Sequence, residues 1–297
     1  MKKRFLTVLI CIFVAILVCG CNQLEIILSK YESHITDIAN DGILQSAATP
    51  LWNCDITQNP DAKDSFTVRF EGKSVTGTYQ YSQAEKGKAY SLDYYENSGI
   101  SFAIRSDTGK LSSIFFVNKS FYETEPFLAD LPDPENAALN IAQKVASKYI
   151  DLQHYTLEPV SSSNYTTQNG GKQGQYTGYS YRFVRYINGL PSTDMLFIAV
   201  SSKGNILSFA LGDIGAYHDI TEKSFTISKA NQSIAETLDK IYEAASSQVV
   251  SYEIESQELC HTPDGQIAIL SRVKVKVLDS KSTEWITGVE VTTVLSP

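Results

Sequence analysis

The stretch Phe102-Ala-Ile-Arg-Ser-Asp-Thr-Gly109-Lys-Leu111-Ser-Ser-Ile114 lines up without gaps on Phe197-Ile-Ala-Val-Ser-Ser-Lys-Gly204-Asn-Ile206-Leu-Ser-Phe209. Each copy reads as a strand, a turn whose glycine tolerates positive φ, and a second strand that returns with the same in-and-out alternation. Tyr90-Ser91 and Tyr179-Ser180 begin the strands upstream of the two copies. A hairpin is therefore repeated, and the segments around it decide the architecture.

Before the first copy, Phe66–Phe70, Ser74–Tyr81 and Ala89–Glu96 are short runs of aromatic and branched residues. Glu71-Gly72, Asn97-Ser-Gly99 and Asp107-Thr-Gly109 separate the strands as turns, so residues 66–118 read as an antiparallel meander. Asp133 then offers an N-cap with Pro134 at the first helical position, and Ala138, Ile141, Ala142, Val145 and Tyr149 form one apolar stripe. Strands follow at 153–159, 176–187, 195–200 and 206–211, interrupted by the polar stretch 160–175, which reads as a long hairpin loop. The order then recurs: a helix capped by Ser228 carries Ile234, Leu238, Ile241 and Ala245, and strands follow at 249–259, 266–278 and 285–295. The expectation is an α+β fold of tandem modules, each with one helix packed on a curled antiparallel sheet, preceded by an N-terminal helix and a β-meander.

The aromatic strand Tyr179-Ser-Tyr-Arg-Phe-Val-Arg-Tyr-Ile-Asn-Gly-Leu-Pro191 and the later Lys203-Gly-Asn-Ile206 hairpin resemble PepSY-type repeats of Gram-positive envelope proteins. YcdB/YcdC-type proteins and YycI-type extracellular regulators of membrane sensor kinases belong to the same resemblance. It implies a non-catalytic module that binds or restrains a partner, such as a kinase or a peptidase. No functional residue transfers by position, because the shared residues are those of turns and strands.

The N-terminus gives an address. Lys2, Lys3 and Arg4 precede an uncharged run from Phe5 to Leu24, a positive cap on a segment of membrane-inserting length. Within it, Val18-Cys19-Gly20-Cys21 resembles the lipobox of bacterial lipoproteins, which implies cleavage after Gly20 and a diacylglycerol on the Cys21 thiol. An uncleaved transmembrane anchor is the alternative, and either reading exports the rest of the chain. The expected division is a signal peptide at 1–20, a lipidated N-terminus with an amphipathic helix at 21–47, a β-rich module at 48–128, and PepSY-like modules at 129–220 and 221–297. The helix rests on Leu24, Ile27, Leu28, Tyr31, Ile35 and Ile38, spaced three and four apart, with Asp41-Gly42 as its stop.

Thirty-three acids against twenty-five bases give a net charge of −8, and removing Lys2, Lys3 and Arg4 with the leader gives −8 − 3 = −11. That balance argues against nucleic acid and against anionic lipid as broad electrostatic partners. Export places Cys54 and Cys260 where a disulfide persists, provided that the fold brings them together. Two separate thiols are the other possibility.

Chemistry is sparse. His34, His154, His218 and His261 lack metal-ligand spacing, so neither metal nor cofactor is expected. His218-Asp219 and Cys260-His261 are the suggestive neighbours, but adjacent strand residues point to opposite faces. The one Ser-x-x-Lys, Ser271 to Lys274, falls inside a strand, and no Gly-x-Ser-x-Gly is present. Carboxylate pairs Glu123/Glu125 and Glu253/Glu255 suit a strand edge as well as a glycosidase. The tyrosines at 79, 81, 90, 94, 95, 176, 179, 181 and 186 suit either cross-strand packing or a binding surface. The polar 160–175 stretch, with Tyr165, Asn169 and Lys172, is the candidate partner contact, because nothing in its composition demands burial. The expectation is an exported binding protein, held to the membrane by its N-terminal lipid, whose partner is another envelope protein or peptide. An enzyme of wall or peptide turnover and a small-solute-binding lipoprotein are the rival classes.

Overall fold

Three two-residue turns, Glu71-Gly72, Ser98-Gly99 and Asn188-Gly189, have positive φ at both positions (47° and 79°, 41° and 90°, 51° and 78°). This geometry matches the twist of paired strands. They join β4 (Ser65–Phe70) to β5 (Lys73–Ala84), β6 (Ser91–Asn97) to β7 (Ile100–Arg105), and β11 (Lys172–Ile187) to β12 (Leu190–Ser201). The computed structural model describes residues 35–40, 43–48, 54–116, 128, 131–158, 163–169, 172–218, 220 and 225–295, with the backbone path alone at 35–45 and 163–177.

The remaining strands are β1 (Ile35–Asn40), β2 (Ile43–Ala47), β3 (Ile56–Thr57), β8 (Leu111–Phe116), β9 (Thr156–Glu158), β10 (Ser163–Asn169), β13 (Ile206–Leu211), β14 (Gln248–His261), β15 (Ile267–Leu278) and β16 (Glu284–Leu295). All sixteen belong to one sheet, whose main path runs β1-β2-β16-β15-β14-β12-β13-β8-β7-β6-β5-β3. It has two wings. β14 touches β12 through one parallel pair, Ser192 and Leu259, and the other pairings are antiparallel.

This corrects the expected fold class. The molecule is mostly one large mixed sheet with two α-helices among the described residues, α1 (Pro134–Ala146) and α2 (Ile227–Ala244), rather than tandem helix-on-sheet modules. The reason lies in how the repeated hairpins meet. β8 pairs with β13, placing Ile114 opposite Phe209, Ser113 opposite Ala210 and Phe115 opposite Ser208. Ile114 and Phe209 are equivalent positions of the two copies, so a local two-fold axis passes between them and exchanges the flanking pairs. Each hairpin also skips one residue of its second strand, Ser112 in one and Leu207 in the other, again equivalent positions. Edge strands that would have closed separate modules pair with each other instead, removing two exposed edges.

The wing made of β3 to β13 curls. β4 lies five strand positions from β13, about 24 Å on a flat sheet at about 4.8 Å per strand. Yet the rings of Phe70 and Phe209 are 4.9 Å apart. The curl wraps a core of Phe102, Ile114, Leu196, Ile198 and Phe209 onto Ala138, Ala142, Val145 and Ala146 of α1. Asp133 caps α1 by accepting from Asn136 N at 3.1 Å, and Pro134 occupies its first turn. Tyr95 stacks on Phe102 at 5.4 Å and Tyr81 on Tyr94 at 4.7 Å, so these tyrosines pack across strands.

On the other wing, Ile234, Leu238 and Tyr242 of α2 cover Val273, Val275, Val277, Val289 and Val291. Burial stabilises each such side chain by about 1.5–3 kcal/mol. α2 begins two residues before the expected Ser228: Thr226 is the cap, and Phe225 before it and Ala230 share one apolar cluster in the manner of a hydrophobic staple.

One further reading is corrected. Residues 35–40 form strand β1, paired with β2 so that Asn40 faces Ile43, rather than the end of a helix. Asp41-Gly42 has the composition of a two-residue hairpin turn as well as that of a helix stop. Residues 22–34 of the expected helix lie outside the described residues. Within the expected 160–175 hairpin loop, β10 and the start of β11 form a regular antiparallel ladder from Ser163/Gly178 to Asn169/Lys172.

Candidate functional site: the wing junction and the projecting hairpin

The three residues expected to contact a partner, Tyr165, Asn169 and Lys172, lie on the β10–β11 hairpin. Tyr165 pairs in register with Tyr176, and Asn169 with Lys172. β12 joins β11 only from Gly178 onward, so residues 172–177 pair with β10 alone and the hairpin runs past the end of the sheet. Cys21 lies outside the described residues, as do Glu123 and Glu125. Glu255 falls at a bulge between Ile254 and Ser256, which breaks the alternation that would have aligned it with Glu253. Ser271 is buried and accepts from Gln257 at 3.1 Å, whereas Lys274 is exposed on the opposite face.

A second site, absent from the sequence reading, forms where the wings meet. Past the end of β13, Asp213 is held by its own backbone, with Gly212 N donating to Met195 O at 2.8 Å and Asp213 N to Thr193 O at 2.7 Å. The Asp213 carboxylate accepts from Thr193 Oγ1 at 2.7 Å, and Thr193 Oγ1 lies 2.6 Å from the Tyr217 hydroxyl. Tyr217 also donates to Leu259 O at 3.2 Å, and His261 Nδ1 lies 3.3 Å from that hydroxyl and 3.4 Å from Asp213 Oδ2. Burial alone would push the Asp213 carboxyl up, but hydrogen bonds from His261 and Thr193 and the charge of Lys88 hold it below its ordinary value. Burial pushes the Tyr217 and Tyr90 hydroxyls well up.

The neighbouring residue on β12, Asp194, points the other way and fastens the same loop. It accepts from Tyr155 at 2.5 Å and from Gly215 N at 3.1 Å, with Arg185 at 3.4 Å. From the β5–β6 loop, Lys86 pairs with Glu290 of β16, and Gly87 O accepts from His261 N at 3.0 Å. Arg105 stacks on Tyr90 at 3.6 Å. Glu258, half-buried nearby, is pushed up by burial, partly offset by Arg182 and Arg272.

Within the cluster the hydroxyls of Thr193 and Tyr217 bond to other members or to backbone, and Asp213 and Tyr217 are buried, with Thr193 half-buried beside them. The geometry suits a polar lock between two wings that share one strand-to-strand pair. Cys260 does not join His261 there: it faces Ala268, Leu270 and Val294. Among the described residues no group of three or more His, Cys, Asp or Glu is placed to hold a metal ion, and no helix is long and apolar enough to cross a membrane. No family model, curated protein or solved structure matches the chain.

Proposed function

We propose that this chain is an exported lipoprotein, tethered through Cys21, that works by binding another envelope protein or peptide rather than by catalysis. The observation that carries the reading is Gly20-Cys21 at the end of an apolar run behind Lys2-Lys3-Arg4. Thirteen residues, 22–34, separate Cys21 from Ile35, where β1 begins. Such a tether reaches about 50 Å at most, so the fold works close to the membrane. The β10–β11 hairpin is the contact element, since its outer half pairs only with itself and its composition is polar. A sensor kinase and a peptidase are the two partner types in view.

A photo-crosslinking residue at Tyr165 in intact cells tests this. The expected result is one discrete adduct with an envelope protein, lost when residues 163–177 are replaced by a short turn, while the melting temperature moves by no more than about 2 °C. Equal adducts from Tyr165 and from Lys281, in the β15–β16 turn, would contradict a specific contact.

A further inference from the structure

We propose that Cys54 and Cys260 pair as a reversible disulfide in the exported protein. The inference rests on the export reading for its oxidising compartment and on the fold for its geometry. Cys260, Ala268 and Val294 lie in one row across β14, β15 and β16, and with Leu270 they form a small apolar patch against which Cys54 packs. Independent contacts bring the Cys54 segment to that place. Gln83 Nε2 donates to Cys54 O at 2.8 Å, and Ile56 pairs with Gln83. Four residues beyond Gln83, a Cβ built on Gly87 would lie 3.1 Å from Cys260 Cβ. The patch lies on the face of β14–β16 opposite α2, so a bond there fastens the segment that leads from β2 of this wing to β3 of the other onto β14.

The two thiols differ in the way that a two-step exchange requires. Cys260 is fully buried and its thiol is pushed well up by burial, whereas Cys54 is half-buried. Cys54 therefore reacts first, as thiolate, with an exogenous disulfide RSSR, giving Cys54–S–S–R and RSH. Cys260 then loses its proton and attacks the Cys54 sulfur, forming the Cys54–Cys260 bond and expelling a second RSH. Two thiols lose two electrons and two protons, and RSSR is reduced to two RSH.

The test uses the mature chain incubated with glutathione disulfide, then denatured, alkylated and digested. A linked peptide 2 Da lighter than the sum of its two thiol forms is expected, with a melting temperature that falls on reduction and a redox dependence that vanishes in both Cys54→Ser and Cys260→Ser. Alkylation of both thiols after oxidation, with no linked peptide, overturns the proposal. Acid-trapped cells separate it from the reading beneath it. A pair that forms in the tube but stays reduced in cells, on a chain that still carries residues 1–20, removes the export reading and the proposal with it.

Discussion

Gly212→Ala destabilises the protein by about 3 kcal/mol or more, a fall in melting temperature of roughly 6–12 °C. An added Cβ would lie 2.0 Å from Thr193 O, a backbone atom, and 3.2 Å from Met195 O. Both carbonyls are already accepting from Asp213 N and Gly212 N, so neither withdraws without breaking the bonds that lead β13 into the junction. Gly109→Ala is the control. Gly109 has φ 65° with open space around it, so alanine there carries only the left-handed backbone penalty of about 1 kcal/mol. Equal losses from the two substitutions would show that the close approach at Gly212 does not matter.

Asp213→Asn removes the charge at the centre of the junction and costs about 2–4 kcal/mol at neutral pH. The amide leaves Lys88 and His261 facing a neutral group and turns one acceptor into a donor. The pH dependence follows from the lowered pKa of this carboxyl. A depressed folded-state value adds stability that is present above the ordinary carboxylate range, about 4, and is lost as pH falls through the folded value. The gap in melting temperature between the native protein and Asp213→Asn is therefore widest near pH 7 and narrows on acidification below about 4. A gap independent of pH would mean that the carboxylate is not ionised in the fold.

The repeated hairpins, the turns at Ser98-Gly99 and Asn188-Gly189, and the cap at Asp133 were legible because each is a local signal. The joining of β8 to β13 was not. It pairs residues far apart in sequence, and the alternation of Leu111–Phe116 serves an edge strand as well as an interior one. The strand at Ile35–Asn40 was misread because its two isoleucines are three apart, a spacing that both periods tolerate over so short a run. In the 160–175 stretch a hairpin was legible, with Gly170-Gly171 as its signal, but the polar composition masked how far its arms pair as strands. The junction had no linear signature at all. Thr193, Asp213, Tyr217 and His261 come from two strands and a connecting turn, and only Cys260-His261 stood out, for a pairing that the strand geometry divides.

The mass of the N-terminal peptide of the chain, isolated from membranes of its native host, decides whether the molecule works where this reading places it. The expected peptide begins at Cys21 and carries the added mass of a diacylglycerol, with residues 1–20 gone. An unmodified Cys21 within a chain that still begins at Met1, recovered from the soluble fraction, would contradict it.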